Sequence, residues 1–280
     1  MKYRIKEALD LAVVKLQNGD QARLEAEVLL AHVLDKPRTY LHARPESELS
    51  EKQALRFGNF VEQRAAGRPV AYLTGHREFW SLDLEITADT LIPRPETELL
   101  VEQALVLLPA DENLCVADLG TGSGAIAIAL AQERKAWTLC ALDRSSNCTR
   151  VAQRNGRRLG IRNICFVNAS WCDALADASC HAIVCNPPYV ADRDPHLQQG
   201  DVRFEPVSAL ASGTDGLDDI RKLVADAARV LKTGGWILLE HGFNQSKTVR
   251  NLLNVKDFIN TETLCDLAGL ERVSYAQKSA

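Results

Sequence analysis

The sequence predicts an α/β fold, a parallel sheet with helices on both faces, preceded by a small all-helical module. Three observations carry this. From about residue 113 onward, short apolar runs alternate with amphipathic stretches of about 10–15 residues, the pattern of strands linked by crossover helices. A glycine-rich turn, Asp118-Leu119-Gly120-Thr121-Gly122-Ser123-Gly124, joins the first apolar run to a helical stretch. A later apolar run stops abruptly at Asn186-Pro187-Pro188-Tyr189.

Taken in order, residues 1–75 read as helical. Ile5, Leu9, Ala12, Val13 and Leu16 recur at helical spacing until Gly19-Asp20 breaks the run. Leu24, Val28, Leu29 and Leu34 continue it up to Pro37, and Leu49 to Val61 repeats it after the Pro45–Ser47 turn. Residues 76–90 read as a hairpin, with Leu82, Leu84 and Ile86 alternating with polar residues after Phe79-Trp80. Pro95 then suits the first position of a helix, and Glu96 and Glu98 its first turn. Strands follow at Leu114–Asp118, Trp137–Asp143, Ile164–Asn168, Ala182–Cys185 and Trp236–Glu240. Helices are expected over Ala125–Arg134, Ser146–Leu159 and Leu217–Leu231, with Gly234-Gly235 as a break.

Composition narrows the function classes. The net charge is −4, with a slight basic excess in the first 75 residues only. A mildly acidic chain lacks the clustered Lys and Arg that phosphate backbones require, so direct nucleic-acid binding is not expected. No run of about 18 apolar residues exists, so no membrane span is expected. Met1–Glu7 carries no apolar signal core, so a cytoplasmic location is expected. The eight cysteines form no C-x-x-C pair and read as buried free thiols in a reducing compartment. Neither they nor the six histidines supply paired ligands at short spacing, so no metal is expected.

In the glycine turn, three alternate residues without Cβ atoms let a ligand lie against backbone, and the turn opens a helix whose free N–H groups face that ligand. Gly120, Gly122 and Ala125 also fit a dinucleotide pattern. Asp118, just before the glycines, suits a ligand carrying cationic groups. Asp143, at the end of the second strand, is placed to accept hydrogen bonds from two ribose hydroxyls. That requirement is shared by NAD and S-adenosylmethionine, so Asp143 points to an adenosine without choosing between them.

Asn186-Pro187-Pro188-Tyr189 ends a buried strand at its C-terminal side, where open parallel sheets bind ligands. The prolines stop the strand and stiffen its exit. An amide or aromatic amino nitrogen is a poor nucleophile because its lone pair is delocalised. The Asn side-chain oxygen and a Pro carbonyl are acceptors that can hold both N–H bonds of an NH₂ group, so that the nitrogen pyramidalises toward a methyl donor. Tyr189 offers a π face to the flat group. Orientation and charge placement do the chemistry, without a strong base.

Asn-Pro-Pro-Tyr after the fourth strand, with Asp-x-Gly-x-Gly-x-Gly after the first, resembles the amino-methyltransferase branch of S-adenosylmethionine-dependent enzymes. Gly75–Trp80, Ile92–Glu98, Val202–Pro206, Leu239–Gly242 and Asp266–Arg272 narrow the resemblance to the peptide chain release factor N5-glutamine methyltransferases of the HemK type. The resemblance implies a seven-stranded Rossmann-like methyltransferase domain over 91–280, a β-hairpin linker over 76–90 and a helical substrate-docking bundle over 1–75. It implies S-adenosylmethionine as methyl donor, S-adenosylhomocysteine as product, and the side-chain amide of the Gly-Gly-Gln glutamine in class I release factors as acceptor. It implies that Gly120, Thr121, Gly122, Ser123 and Gly124 line the cofactor, that Asp143 holds its ribose and that Trp171 flanks its adenine. Asn186 would touch cofactor and substrate, and Pro187, Pro188 and Tyr189 would complete the amide pocket, with Asn186, Pro187 and Tyr189 catalytic.

The rival on the same tetrapeptide is a nucleic-acid adenine-N6 methyltransferase acting on a flipped base. It needs a basic groove that this composition does not supply. An NAD-dependent oxidoreductase would leave Asn186–Tyr189 idle, and so would a non-enzymatic nucleotide-sensing protein on the same sheet.

Overall fold

A computed structural model describes residues 3–17 and 21–279. The chain separates into two units: one holds the chain up to His76 together with Gly200–Phe204, the other holds Arg77–Gln199 and Glu205–Ala280. The expected break at Gly19-Asp20 lies outside the described residues.

The first unit contains α1 (Ile5–Leu16), α2 (Gln21–Leu34), α3 (Arg38–Ala43), α4 (Glu51–Ala65) and α5 (Val70–Thr74). Ile5, Leu9, Leu29, Leu30, Leu41, Phe57 and Val61 form its core. Ser50 caps α4, accepting from Gln53 N while the Gln53 side chain accepts from Ser50 N. The face of α2 differs from the expected one: Leu24 is 46% exposed, while Ala22, Ala26, Leu29, Leu30 and Val33 are buried. Small alanines carry much of this face, and a count of large apolar residues misses them. Charge is buried here in paired form. Glu27 accepts from Arg23 and Arg38 at 2.9 and 2.8 Å. Burial pushes its carboxyl up, but these partners outweigh it and hold the pKa below the usual value. Arg64 bridges Glu25 and Asp201 at 2.7 and 2.6 Å.

The hairpin strands are β1 (His76–Phe79) and β2 (Leu82–Glu85). Trp80 and Ser81 form the turn, both at positive φ (53° and 58°). Such a turn matches the right-handed twist of the strands even without glycine. From Arg77 on the hairpin belongs to the larger unit, held by the buried Asn155 side chain against Glu85 and by Arg154 and Arg158 against Glu85 and Asp83.

The larger unit is built on a seven-stranded sheet. Its elements are α6 (Glu98–Leu107), β3 (Cys115–Leu119), α7 (Ala125–Glu133), β4 (Thr138–Asp143), α8 (Ser146–Arg158), β5 (Ile164–Asn168), β6 (Cys180–Cys185), α9 (Asp218–Val230), β7 (Leu231–Glu240), α10 (Ser246–Asn254), β8 (Phe258–Cys265) and β9 (Glu271–Lys278). The order is β5-β4-β3-β6-β7-β9-β8. The first five strands of that order run parallel, while β9 is antiparallel to both β7 and β8. The sheet is therefore mixed rather than purely parallel. Central strands such as Val116–Leu119 and Ala182–Cys185 are fully buried, as expected for a sheet covered on both faces.

Two expectations need correction. Gly234-Gly235 does not interrupt the strand. It forms a bulge inside β7, where the partner of β6 jumps from Leu231 to Trp236. A Cβ on Gly235 would sit 2.9–3.0 Å from the carbonyls of Lys232 and His181, so the bulge requires glycine there. The cysteines are all free, but not all buried: Cys165 and Cys265 are exposed, because β5 and β8 are the two edges of the sheet.

Candidate active site

Sheet order brings the two motifs together. β3 pairs with β4 on one side and β6 on the other, so the chain reverses its winding direction at this point. Leu119 is in register with Cys185, which starts the glycine turn and Asn186 side by side at the C-terminal edge of the sheet.

Hydrogen bonds beneath the glycine turn hold it open. Leu142 O accepts from both Gly120 N and Thr121 N at 2.9 Å. Asp118 is wholly buried, and one oxygen accepts from Thr121 Oγ1 and Ala127 N at 2.6 and 3.1 Å. Asp118 thus clamps the turn from below through one oxygen; its other oxygen is buried with no partner among the described residues, and Asp118 is not among the residues that line the cavity above the turn. Burial raises its pKa to about 7. Gly124 begins α7 at φ 88°, and a Cβ there would meet Ile128 Cδ1 at 2.8 Å and Ala152 Cβ at 3.1 Å. Its glycine serves helix packing. Ser123 O accepts from the Asn155 amide at 2.9 Å, tying the turn to α8.

A cavity of about 250 Å³ opens above the turn. Gly120, Gly122, Asp143, Trp171, Asn186 and Pro188 line it, joined by Asp89, Leu91, Arg144 and Ser208. Thr121, Ser123, Gly124, Pro187 and Tyr189 are not among the lining residues: the first three shape the turn, and Pro187 is buried behind it. Asp143 accepts from Gly122 N at 2.9 Å and from Ser145 N at 2.8 Å, one on each oxygen. It therefore ties the turn to the start of α8 and also faces the cavity. Burial pushes its carboxyl above the ordinary range, against those two backbone bonds. The Trp171 ring lies where a Cβ on Gly120 would approach it to 3.2 Å, and its indole N–H donates to Asp219 at 3.2 Å. Gly120 and Trp171 together leave a slot that a side chain at 120 would fill. With a carboxylate on the neighbouring strand, that cradle fits an adenosine-bearing ligand.

Outside the cavity lining, segments far apart in sequence are tied together. The Arg94 guanidinium and Ile92 N both donate to the buried Glu205. Trp80 N donates to Glu98 at 2.8 Å. Thr97 Oγ1 donates to Glu240 at 2.7 Å, Asn186 Nδ2 donates to Thr97 Oγ1 at 3.0 Å, and Tyr189 OH donates to the second Glu240 oxygen at 3.1 Å. Burial and the Glu240 carboxylate push the Tyr189 phenol up, so it remains a donor. Glu240 itself, wholly buried, has its pKa raised to about 7 by desolvation. Its place in this network was not foreseen; the sequence signal was a lone acidic residue closing the apolar run Trp236–Leu239. Gln245 Nε2 donates to Tyr189 O at 2.9 Å, and a Cβ on Gly216 would lie 2.3 Å from that oxygen. Among the described residues, no group of three His, Cys, Asp or Glu side chains is placed to hold a metal ion.

The PrmC N-terminal domain family matches residues 7–75, and the methyltransferase small domain family matches residues 95–202. A release factor glutamine methyltransferase of Pseudomonas aeruginosa is 50% identical over 263 residues, covering 94% of this chain and 95% of its own. One from Escherichia coli is 45% identical over 264 residues, with the same two coverages of 94% and 95%. A methyltransferase structure from Pyrococcus furiosus shares the fold at 15% identity and TM-score 0.54, covering 80% of this chain and 100% of its own. With half of its residues shared with one such relative over nearly the full length of both, this chain belongs to the release factor glutamine methyltransferase family.

Proposed function

We propose that this chain transfers a methyl group from S-adenosylmethionine to the side-chain amide nitrogen of the glutamine in the Gly-Gly-Gln motif of class I peptide chain release factors. The observation that carries the reading is the orientation of Asn186. Asn186 lines the cavity, and its NH₂ group is committed to Thr97, which leaves Oδ1 as an acceptor. The names of the relatives support the choice of substrate.

In this reading, Gly120 and Gly122 give the cofactor access to backbone. Asp143 uses the remaining lone pair on each oxygen for the ribose hydroxyls. Trp171 flanks the adenine. Thr121, Ser123 and Gly124 act on the cofactor through the shape of the turn. S-adenosylmethionine, when bound, supplies a methyl group activated by its sulfonium. Asn186 Oδ1 and the Pro187 carbonyl accept the two N–H bonds of the substrate amide, and Pro188 and Tyr189 bound the flat amide. Held this way, the nitrogen lone pair is turned out of conjugation toward the methyl carbon. With S-adenosylmethionine bound, the substrate nitrogen would take the methyl group as its bond to sulfur breaks, leaving the thioether, and would then give its extra proton to solvent. No side-chain base is required, because the methylated nitrogen is strongly acidic before that loss.

Residues 1–75 are assigned to docking of the release factor and 91–280 to catalysis, with the hairpin between them. The substrate class implies a cytoplasmic place of work; among the described residues, no helix is long and apolar enough to cross a membrane. The test is incubation with labelled S-adenosylmethionine and either a class I release factor or nucleic acid. Label is expected on the release factor, and label on nucleic acid alone would overturn the reading. A chain lacking residues 1–75, folded by circular dichroism, should still bind S-adenosylmethionine but methylate release factor poorly.

A further inference from the structure

We propose that Thr97 and Glu240 are positioning residues which fix the Asn186 amide with its oxygen toward the substrate and hold the Tyr189 ring beside it. The inference rests on the reading of Asn186 as the acceptor of the substrate amide, and it explains what sets the orientation that this reading requires.

The argument is a count of protons. Thr97 and Glu240 are buried, at 4% and 1% exposure, so water does not supply alternative partners. A carboxylate only accepts, and Glu240 receives hydroxyl hydrogens from Thr97 on one oxygen and Tyr189 on the other. A hydroxyl has one hydrogen. With that hydrogen given to Glu240, Thr97 offers Asn186 nothing but lone pairs. The Asn186 amide must therefore turn its NH₂ toward Thr97, as the 3.0 Å contact has it, and its oxygen is left for the cavity. The flipped amide would set oxygen against oxygen. Direction thus passes from Glu240 through Thr97 to Asn186.

Burying a carboxylate is costly, and its raised pKa reflects that cost. An apolar side chain at this position would avoid that cost but leave the Thr97 and Tyr189 hydroxyls without their acceptor. A glutamine, however, would present an NH₂ group to one of the two hydroxyls and would no longer impose a direction on both. Above its pKa of about 7 the ionised carboxylate forces both neighbours to donate, so kinetics recorded at pH 8 or above read the network in this form.

The experiment measures kcat and KM for release factor methylation, and S-adenosylmethionine affinity, in Thr97→Val, Thr97→Ser, Glu240→Gln and Asn186→Ala. The near-isosteric Thr97→Val is expected to lower kcat by about 10–100-fold, the scale of a misaligned reacting group, with KM and cofactor affinity little changed. Thr97→Ser keeps the hydroxyl and should recover most of that loss. In the Asn186→Ala background, Thr97→Val should cost nothing further, because the amide it orients is gone. If Thr97→Val fails to fold, Glu240→Gln carries the same comparison in the same two backgrounds. Wild-type kcat in Thr97→Val and Glu240→Gln while Asn186→Ala is impaired, or losses that multiply in the double variant, would overturn the inference. Wild-type kcat in Asn186→Ala would overturn the parent reading, and this one with it.

Discussion

Replacing Asp143 separates the turn tie seen in the structure from the proposed ribose contact. In the structure each of its oxygens already accepts one backbone N–H, from Gly122 at 2.9 Å and Ser145 at 2.8 Å. A carboxylate oxygen has a second lone pair, so a ribose diol adds two bonds without displacing these. On the proposed ribose role, Asp143→Ala would remove two charge-assisted bonds to the ribose and free the Gly122 end of the turn. A loss of about 1–3 kcal/mol in cofactor affinity follows, or roughly 5–150-fold in Kd. Asp143→Asn should do nearly as badly as alanine. Its NH₂ must face one of two backbone donors, so one end of the tie becomes repulsive. The effect on stability should be smaller, because the carboxyl is held at a desolvation cost that its removal relieves. Calorimetric titration with S-adenosylmethionine and S-adenosylhomocysteine measures the first effect and thermal unfolding the second. Unchanged Kd in Asp143→Ala would remove the residue from the ribose role. Unchanged Kd with a lowered melting temperature would leave it as a turn tie and nothing more.

Other expectations follow from the same contacts. Asn155 makes three side-chain hydrogen bonds, to Glu85 N, Glu85 O and Ser123 O; Asn155→Ala should cost about 3 kcal/mol at about 1 kcal/mol per bond, a fall of roughly 6–12 °C in melting temperature, and a shift under 2 °C would contradict the clamp. Asp118 has a folded pKa raised to about 7 by burial, so the native state binds the extra proton. Its stability contribution is present below the unfolded carboxylate pKa and is lost as pH rises toward and through about 7. Asp118→Asn should therefore flatten the decline of melting temperature between pH 5 and 8, and an unchanged slope would argue against the raised pKa. Gly216→Ala places a Cβ 2.3 Å from Tyr189 O at a φ of 76°, so the tetrapeptide backbone must shift; kcat should fall more than cofactor affinity, and the reverse pattern would place the strain elsewhere.

The readable parts of this protein were those where one residue type has one physical use. Glycines before a helix, prolines after a buried strand, and a carboxylate ending the next strand each have few alternatives, and sheet order brings them to one cavity. The seven-stranded sheet was expected only through resemblance. β8 alternates weakly, with Asn260, Thr261, Glu262 and Thr263 in its middle, because at the edge of the sheet both of its faces are largely uncovered and Phe258 alone is buried. Gly234-Gly235 looked like a stop because a bulge and a turn use the same residue for the same backbone freedom. Charge in a sequence does not reveal depth: Asp118 is wholly buried, and one of its oxygens is an acceptor for Thr121 and Ala127. Thr97 and Glu240 lie 143 positions apart, and no local pattern links them.

The central claim is methylation of one amide nitrogen. The most direct measurement is mass spectrometry of a class I release factor after incubation with this protein and S-adenosylmethionine, with fragmentation of the peptide that contains Gly-Gly-Gln. The account predicts the mass of one methyl group on the glutamine side chain of that motif, and its loss or strong reduction with Asn186→Ala. An unmodified glutamine after prolonged incubation with folded, cofactor-binding protein, or a methyl group found on another residue, would contradict it.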